Sequence, residues 1–129
     1  MSIHVEIVTP ARIAYSGTCD TASAPGFLGE FGVLERHAQM LSVTQAGLVT
    51  MVSGGETTKL VVGPGFAEVG TDRLTLLVDQ CEDVAGIDKE QAKADLDAAY
   101  TELSKHEADS EGGLRARKAA DLAQARLQA

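Results

Sequence analysis

The hydrophobic repeat of this chain changes once, near Gly86, and that change limits the fold more than any motif does. Before it the period is two. Ile3, Val5 and Ile7 alternate with His4 and Glu6, and residues 48–53, 59–62, 66–69 and 74–78 are short runs rich in β-branched side chains. A period of two places apolar side chains on one face of a strand. Turn residues interrupt the pattern about every 8 to 12 positions, the spacing of a β-sandwich or barrel. They include Thr9-Pro10, Ala24-Pro25-Gly26, Gly54-Gly55, Gly63-Pro64-Gly65 and Gly70-Thr71-Asp72. Gly54-Gly55 lies between two runs and reads as a tight hairpin turn. Eleven of the 13 glycines precede residue 90, which assigns the first part to β-structure, since helices tolerate Gly poorly.

After Gly86 there is no Pro, and Ala, Glu, Lys, Gln and Leu dominate, all good helix formers. Ala92, Leu96, Ala99 and Leu103 share one helical stripe. Asp88 with Gln91 three positions on is a variant capping box. The pattern predicts a first helix over about 88–107, a turn at Asp109-Ser110-Glu111-Gly112-Gly113, and a second helix over about 114–127. The second helix carries a stripe of small residues, Ala116, Ala119 and Ala123, ending in Leu127, which would let two helices approach closely as an antiparallel hairpin. The expected fold is an all-β sandwich over 1–84 followed by a two-helix hairpin over 85–129.

Charge is uneven across this hairpin. The first helix is mostly acidic, whereas the second carries Arg115, Arg117, Lys118 and Arg126 against Asp121 alone. Two readings stand. The cations make cross-helix and i,i+4 pairs on a solvated hairpin, or the second helix leaves the first and offers its basic face to an acidic partner. An Ala-rich contact buries little area, so such a helix would be held weakly enough to switch.

Composition removes several function classes. A net charge of −8 repels phosphate backbones and anionic headgroups, so neither nucleic acid nor a lipid surface is expected as a direct partner. Aromatic residues are only 4% of the chain, too few for base-stacking platforms. No apolar run reaches the roughly 20 residues that span a bilayer, and Met1 to Pro10 does not resemble a signal peptide, so a cytosolic setting is expected. Cys19 and Cys81 are read as small buried hydrophobes. Catalytic constellations are absent: there is no P-loop, dinucleotide fingerprint, HExxH or nucleophile elbow. His4, His37 and His106 are far apart, and none has a second ligand at strand or helical spacing, so no metal site is expected. A docking protein fits these exclusions better than an enzyme of cupin type. A free-standing binding sandwich is the alternative, and it would expose Tyr15, Phe27, Phe31 and Phe66 together on one face.

The segment from Gly26 to Ala38 is long, Gly-punctuated and carries Phe27, Leu28 and Phe31. Such a segment either closes a corner of the sandwich with its Phe residues or docks on a partner. Its residues carry a resemblance. Gly29-Glu30-Phe31-Gly32-Val33-Leu34 followed by His37-Ala38 resembles the signature of the epsilon subunits of bacterial rotary ATP synthases, the counterparts of the mitochondrial delta subunits. Ile3 to Pro10, Gly47-Leu48-Val49, Gly65-Phe66-Ala67-Glu68-Val69, Leu74-Thr75-Leu76-Leu77-Val78-Asp79 and Ile87-Asp88 are similar to further family motifs, in the same order. Departures occur at Glu35-Arg36 and Ala46, where the family has Pro-Gly and Pro. A third falls at Gln91, where members that bind ATP have Arg.

The resemblance implies a non-catalytic central-stalk subunit of a proton-translocating F-type ATP synthase, peripheral at the cytoplasmic face of a bacterial inner membrane. It implies that one sandwich face packs on the gamma subunit, and that Glu30, Phe31, Gly32 and His37 meet the loops of the c-ring. It also implies a regulatory hairpin that blocks ATP hydrolysis by bringing Arg115, Arg117, Lys118 and Arg126 to acidic segments of the catalytic beta subunits. Asp88 would belong to a nucleotide site, but with a neutral amide at Gln91 the charge-assisted phosphate contact is lost. No cofactor is therefore expected, and Asp88 reads first as a helix N-cap.

Overall fold

The structure, a computed structural model, describes residues 2–26, 29–33 and 39–129. Ten strands come first: β1 (Ile3–Val8), β2 (Ile13–Cys19), β3 (Thr21–Gly26), β4 (Gly29–Val33), β5 (Met40–Thr44), β6 (Gly47–Ser53), β7 (Glu56–Val62), β8 (Gly65–Val69), β9 (Arg73–Val78) and β10 (Cys81–Asp83). A single 3-10 turn (Val84–Gly86) leads to helices α1 (Lys89–Leu103) and α2 (Glu111–Gln128).

The strands form one continuous ladder in the order β10-β7-β6-β3-β5-β8-β9-β1-β2, with β4 paired to β3 as a side arm. All pairings are antiparallel except β1 with β9. The ladder folds over on itself, bringing β2 against β6, and so makes the two layers of a sandwich. The alternation read from the sequence now has a physical meaning. Ile3, Val5, Ile7, Leu74, Leu76, Val49 and Met51 point into one apolar core, while their neighbours face out. Gly54 and Gly55 take positive φ at the β6–β7 turn, as a tight hairpin with right-handed strand twist requires.

Strand β7 breaks the alternation, because Leu60, Val61 and Val62 are all buried. Leu60 and Val62 belong to the sandwich core, whereas Val61 faces outward and is covered by Leu122 and Ala125 of α2. Ala46, Leu48, Val84 and Ile87 pack around this second, smaller cluster. The hairpin therefore lies closed against the β6–β7 face.

Two helix expectations need correction. The first helix ends at Leu103, not near 107, and the second begins at Glu111 rather than 114. The connection is thus 104–110, and Gly112-Gly113 sit in the first helical turn. Ser110 decides this, because its hydroxyl accepts from the Gly113 amide at 3.0 Å and satisfies a donor that would otherwise be orphaned. The small-residue stripe also shifts. Ala119 is exposed, and Gly113, Ala116, Ala120 and Ala123 are buried instead. Leu122 and Ala125 form a second buried stripe, so α2 packs on two partners, which a single-stripe reading does not anticipate.

Candidate docking surfaces

The outer face of the sandwich carries a row of apolar residues produced by strand register. Val43 pairs with Phe66, Phe66 with Leu77, Leu77 with Val8, and Val8 with Ile13. Neighbouring strands lie about 4.8 Å apart, so five side chains on five strands draw a stripe roughly 20 Å long. Val43, Phe66, Leu77 and Ile13 are 51%, 53%, 49% and 61% exposed, and Leu41 beside them is 74% exposed. Single exposed hydrophobes are ordinary, but a contiguous row is the mark of an interface. The next row on the same face starts with Leu41 and is otherwise polar: Leu41, Glu68, Thr75, Glu6 and Ser16 are aligned by the same pairings. The stripe thus has an acidic border.

The sequence offered a signal for this row that period-two reading passes over. Leu76-Leu77-Val78 and Val5 through Val8 carry apolar residues in both phases of a strand. An apolar residue in the outward phase needs a cover of its own, either within the chain, as for Val61, or outside it.

The candidate ring-contacting residues fall partly within reach. Glu30 and Gly32 are exposed on β4, with Glu30 opposite Pro25 of β3. This segment is an edge strand rather than a loop, because its backbone pairs along β3. Phe31 is half-buried and packs against the sandwich core, so it closes the corner. An apolar groove of about 520 Å³, lined by Gly29, Phe31, Met40, Leu41 and Val43 among others, connects this arm to the apolar row. His37 lies outside the described residues, as does Phe27. Tyr15 is half-buried against the core like Phe31, so among the described residues Phe66 does not share an exposed aromatic face with them.

The four basic residues of α2 divide into two pairs. Arg115 and Arg117 point to solvent, with Arg117 3.6 Å from Asp121 on its own helix. Lys118 and Arg126 turn to the sandwich instead. Lys118 makes an ion pair with Asp79, and Arg126 with Glu82 while lying 3.9 Å from Asp95 of α1. The pairing reading of the charge asymmetry holds for Arg117, with its i,i+4 partner, and for Arg126, with its cross-helix partner, while the ion pairs of Lys118 and Arg126 with the sandwich belong to neither reading. At the open end of the hairpin, Lys89 donates to the carbonyls of Leu127, at 3.1 Å, and Ala129.

Asp88 is the N-cap of α1. Its carboxylate accepts from the amides of Glu90 and Gln91 at 3.0 and 3.1 Å. The Gln91 side chain donates to Asp95 at 2.9 Å. A groove of about 160 Å³ between sandwich and hairpin is lined by Glu82, Asp88, Gln91, Asp95 and Arg126 among others. Its only cation among the described residues, Arg126, already faces two carboxylates.

Among the described residues, no three His, Cys, Asp or Glu side chains converge as a metal site would need. Cys19 is buried, and burial followed by the nearby Asp20 pushes its thiol pKa up. Cys81 is only half-buried, which corrects the expectation of two buried thiols. Burial again raises its pKa, opposed by Arg12 and helped by Glu82 and Asp83. Both therefore stay protonated near neutrality and are poor nucleophiles. No described helix is long and apolar enough to cross a membrane.

Residues 2–84 match the family model of the ATP synthase delta/epsilon chain, beta-sandwich domain. The ATP synthase epsilon chain of Magnetococcus marinus is 37% identical over 129 residues, covering 100% of this chain and 94% of that one. The epsilon chain of Rhodopseudomonas palustris is 40% identical over 87 residues, a match spanning 67% of this chain and 64% of the relative. Among solved structures, a chain of the Euglena gracilis mitochondrial ATP synthase, seen with OSCP, F1 and c-ring, superposes with a TM-score of 0.81. It covers 95% of this chain and 78% of that one, at 18% identity, a likeness of fold.

Proposed function

Because this chain belongs to the ATP synthase delta/epsilon chain family, we propose that it serves as a non-catalytic central-stalk subunit of a proton-translocating F-type ATP synthase. In this reading it couples rotation of the c-ring to the gamma subunit, peripheral at the cytoplasmic face of a bacterial inner membrane. The observation that carries it is the apolar row Val43–Phe66–Leu77–Val8–Ile13, which needs a partner and finds none within the described chain. A packed sandwich suits the task, since a stiff interior transmits torque without losing it as strain. Glu30 and Gly32, on the exposed arm, and His37 are the groups proposed to meet the polar loops of the ring, with Phe31 holding the arm in place. The gamma surface should offer an apolar strip flanked by cations opposite Glu6 and Glu68. Co-purification with gamma from the same source tests the reading directly. A chain that does not bind gamma has no place in the stalk.

The hairpin is the regulatory part of this proposal. Detached from the sandwich, α2 would present Arg115, Arg117, Lys118 and Arg126 to acidic segments of the catalytic subunits and block ATP hydrolysis. Reversing all four charges to Glu is expected to relieve that inhibition in the reconstituted complex. Unchanged inhibition in a hydrolysis assay would exclude the role.

Nucleotide plays no part in this regulation. The groove beside Asp88 holds three carboxylates and one occupied cation, a field that repels a triphosphate. Titration calorimetry with ATP is expected to give no binding heat. Asp88→Ala should cost about 1 kcal/mol of stability through loss of the N-cap, and Asp88→Asn much less. Saturable ATP binding that Asp88→Asn abolishes would overturn this assignment.

A further inference from the structure

We infer that the closed hairpin is held by a two-point ionic clasp, Lys118–Asp79 and Arg126–Glu82, which a carboxylate-rich partner opens by exchange. The apolar contact under α2 is small: among the described residues Val61, Leu122 and Ala125 are buried in it, with Ala46, Leu48, Val84, Ile87 and Ala129 partly buried around them. The two ion pairs flank that contact, eight positions apart on α2, and both acceptors are on the sandwich. Asp79 is built into place. A Cβ on Gly63 would lie 1.8 Å from the Asp79 carboxylate, so the carboxylate rests directly over the bare glycine backbone. Asp79 and Gly63 are in turn fixed by backbone bonds, Asp79 amide to Pro64 carbonyl at 3.3 Å and Gly63 amide to Gln80 carbonyl at 3.0 Å. Arg126 also reaches Asp95, so the second point ties sandwich, α2 and α1 together.

Lys118 and Arg126 cannot serve Asp79 and Glu82 and a partner's carboxylates at once. Among the described residues Arg115 and Arg117 make no ion pair with the sandwich in the closed form, and both are exposed, so they can engage an acidic segment first. Exchange at Lys118 and Arg126 then removes what holds the hairpin down. Closure and partner binding are therefore linked through the same two cations. This deepens the regulatory reading above, but the clasp is intramolecular and is measured without the rest of the complex.

The test is thiol labelling of the full chain carrying Ala125→Cys, with sites resolved by mass spectrometry. Ala125 is 3% exposed beneath the hairpin, so its labelling rate follows the open fraction, while native Cys19, 2% exposed in the sandwich core, reports global unfolding. Half-exposed ion pairs contribute about two- to five-fold each, so Asp79→Asn with Glu82→Gln should speed labelling at position 125 on the order of ten-fold without affecting Cys19. Raising salt from about 0.01 M to about 1 M should do the same to the parent, and far less to the double variant. A short oligoglutamate peptide should accelerate labelling where oligoglutamine does not. Labelling at position 125 that ignores both carboxylates, or that oligoglutamate leaves unchanged, overturns the clasp. An intact clasp in a chain whose hairpin never inhibits hydrolysis would instead overturn the regulatory reading alone.

Discussion

Phe66→Glu combined with Leu77→Glu is expected to abolish the proposed binding to gamma while leaving the sandwich folded. The two side chains are register partners on β8 and β9, at the middle of the apolar row and about half exposed in the free chain. Placing carboxylates there costs the free protein little, within about 1 kcal/mol, because water still reaches them. In the complex the same carboxylates would be desolvated at the centre of the interface without cations facing them. That penalty, added to the lost apolar contact, is on the order of 3 kcal/mol or more, about a hundred-fold in Kd. The acidic border makes the repulsion worse, since Glu68 and Glu6 lie one row away. Binding measured by titration calorimetry, with circular dichroism melts to confirm the fold, decides the matter. Glu68→Gln is the control, expected to slow association slightly and to reduce its salt dependence. Binding of the double variant at parental affinity would mean that the apolar row is not the surface that meets gamma.

The sequence announces the architecture through its change of period, and the reason is physical. Burial on one face of a strand or helix imposes the period directly, so Ile3-Val5-Ile7 and Ala92-Leu96-Ala99 can be read without coordinates. What the sequence does not announce depends on which elements become neighbours. Phe66, Leu77, Val8 and Ile13 come from four segments spread over about half the chain, and only their pairing makes them a surface. The same holds for Lys118 and Arg126. Their charge is visible as a basic cluster, but their carboxylate partners lie 39 and 44 positions away, and nothing local marks those. The misplaced start of α2 has a different cause. Gly112-Gly113 is a strong turn signal, and the Ser110 cap outweighs it by satisfying an amide that a turn would leave to solvent.

The second large effect is expected at Gly65, which the sequence presents as turn punctuation and as the first residue of a family-like motif. Gly65 opens β8 and is paired on both sides, to Thr44 of β5 and to Val78 of β9. A Cβ there would lie 1.9 Å from the Leu77 carbonyl oxygen and 2.8 Å from the Leu77 carbonyl carbon and Val78 Cα. All three atoms are backbone, so no side-chain rotation relieves the overlap, and β8 and β9 must separate locally. Gly65→Ala should therefore cost roughly 2–4 kcal/mol, through lost ladder bonds and disturbed packing of Leu76 and Val78. For a chain of this size that corresponds to a fall in Tm of about 10 °C. Because the disturbance reaches Phe66 and Leu77, gamma binding should weaken as well, though less than with two carboxylates in the row. Gly86→Ala, where an added Cβ meets nothing within 4 Å, is the matched control and should leave Tm unchanged. If Gly65→Ala melts with Gly86→Ala rather than well below it, β8 and β9 are not packed as closely as this geometry requires. The central pair of the docking row would then have to be placed anew.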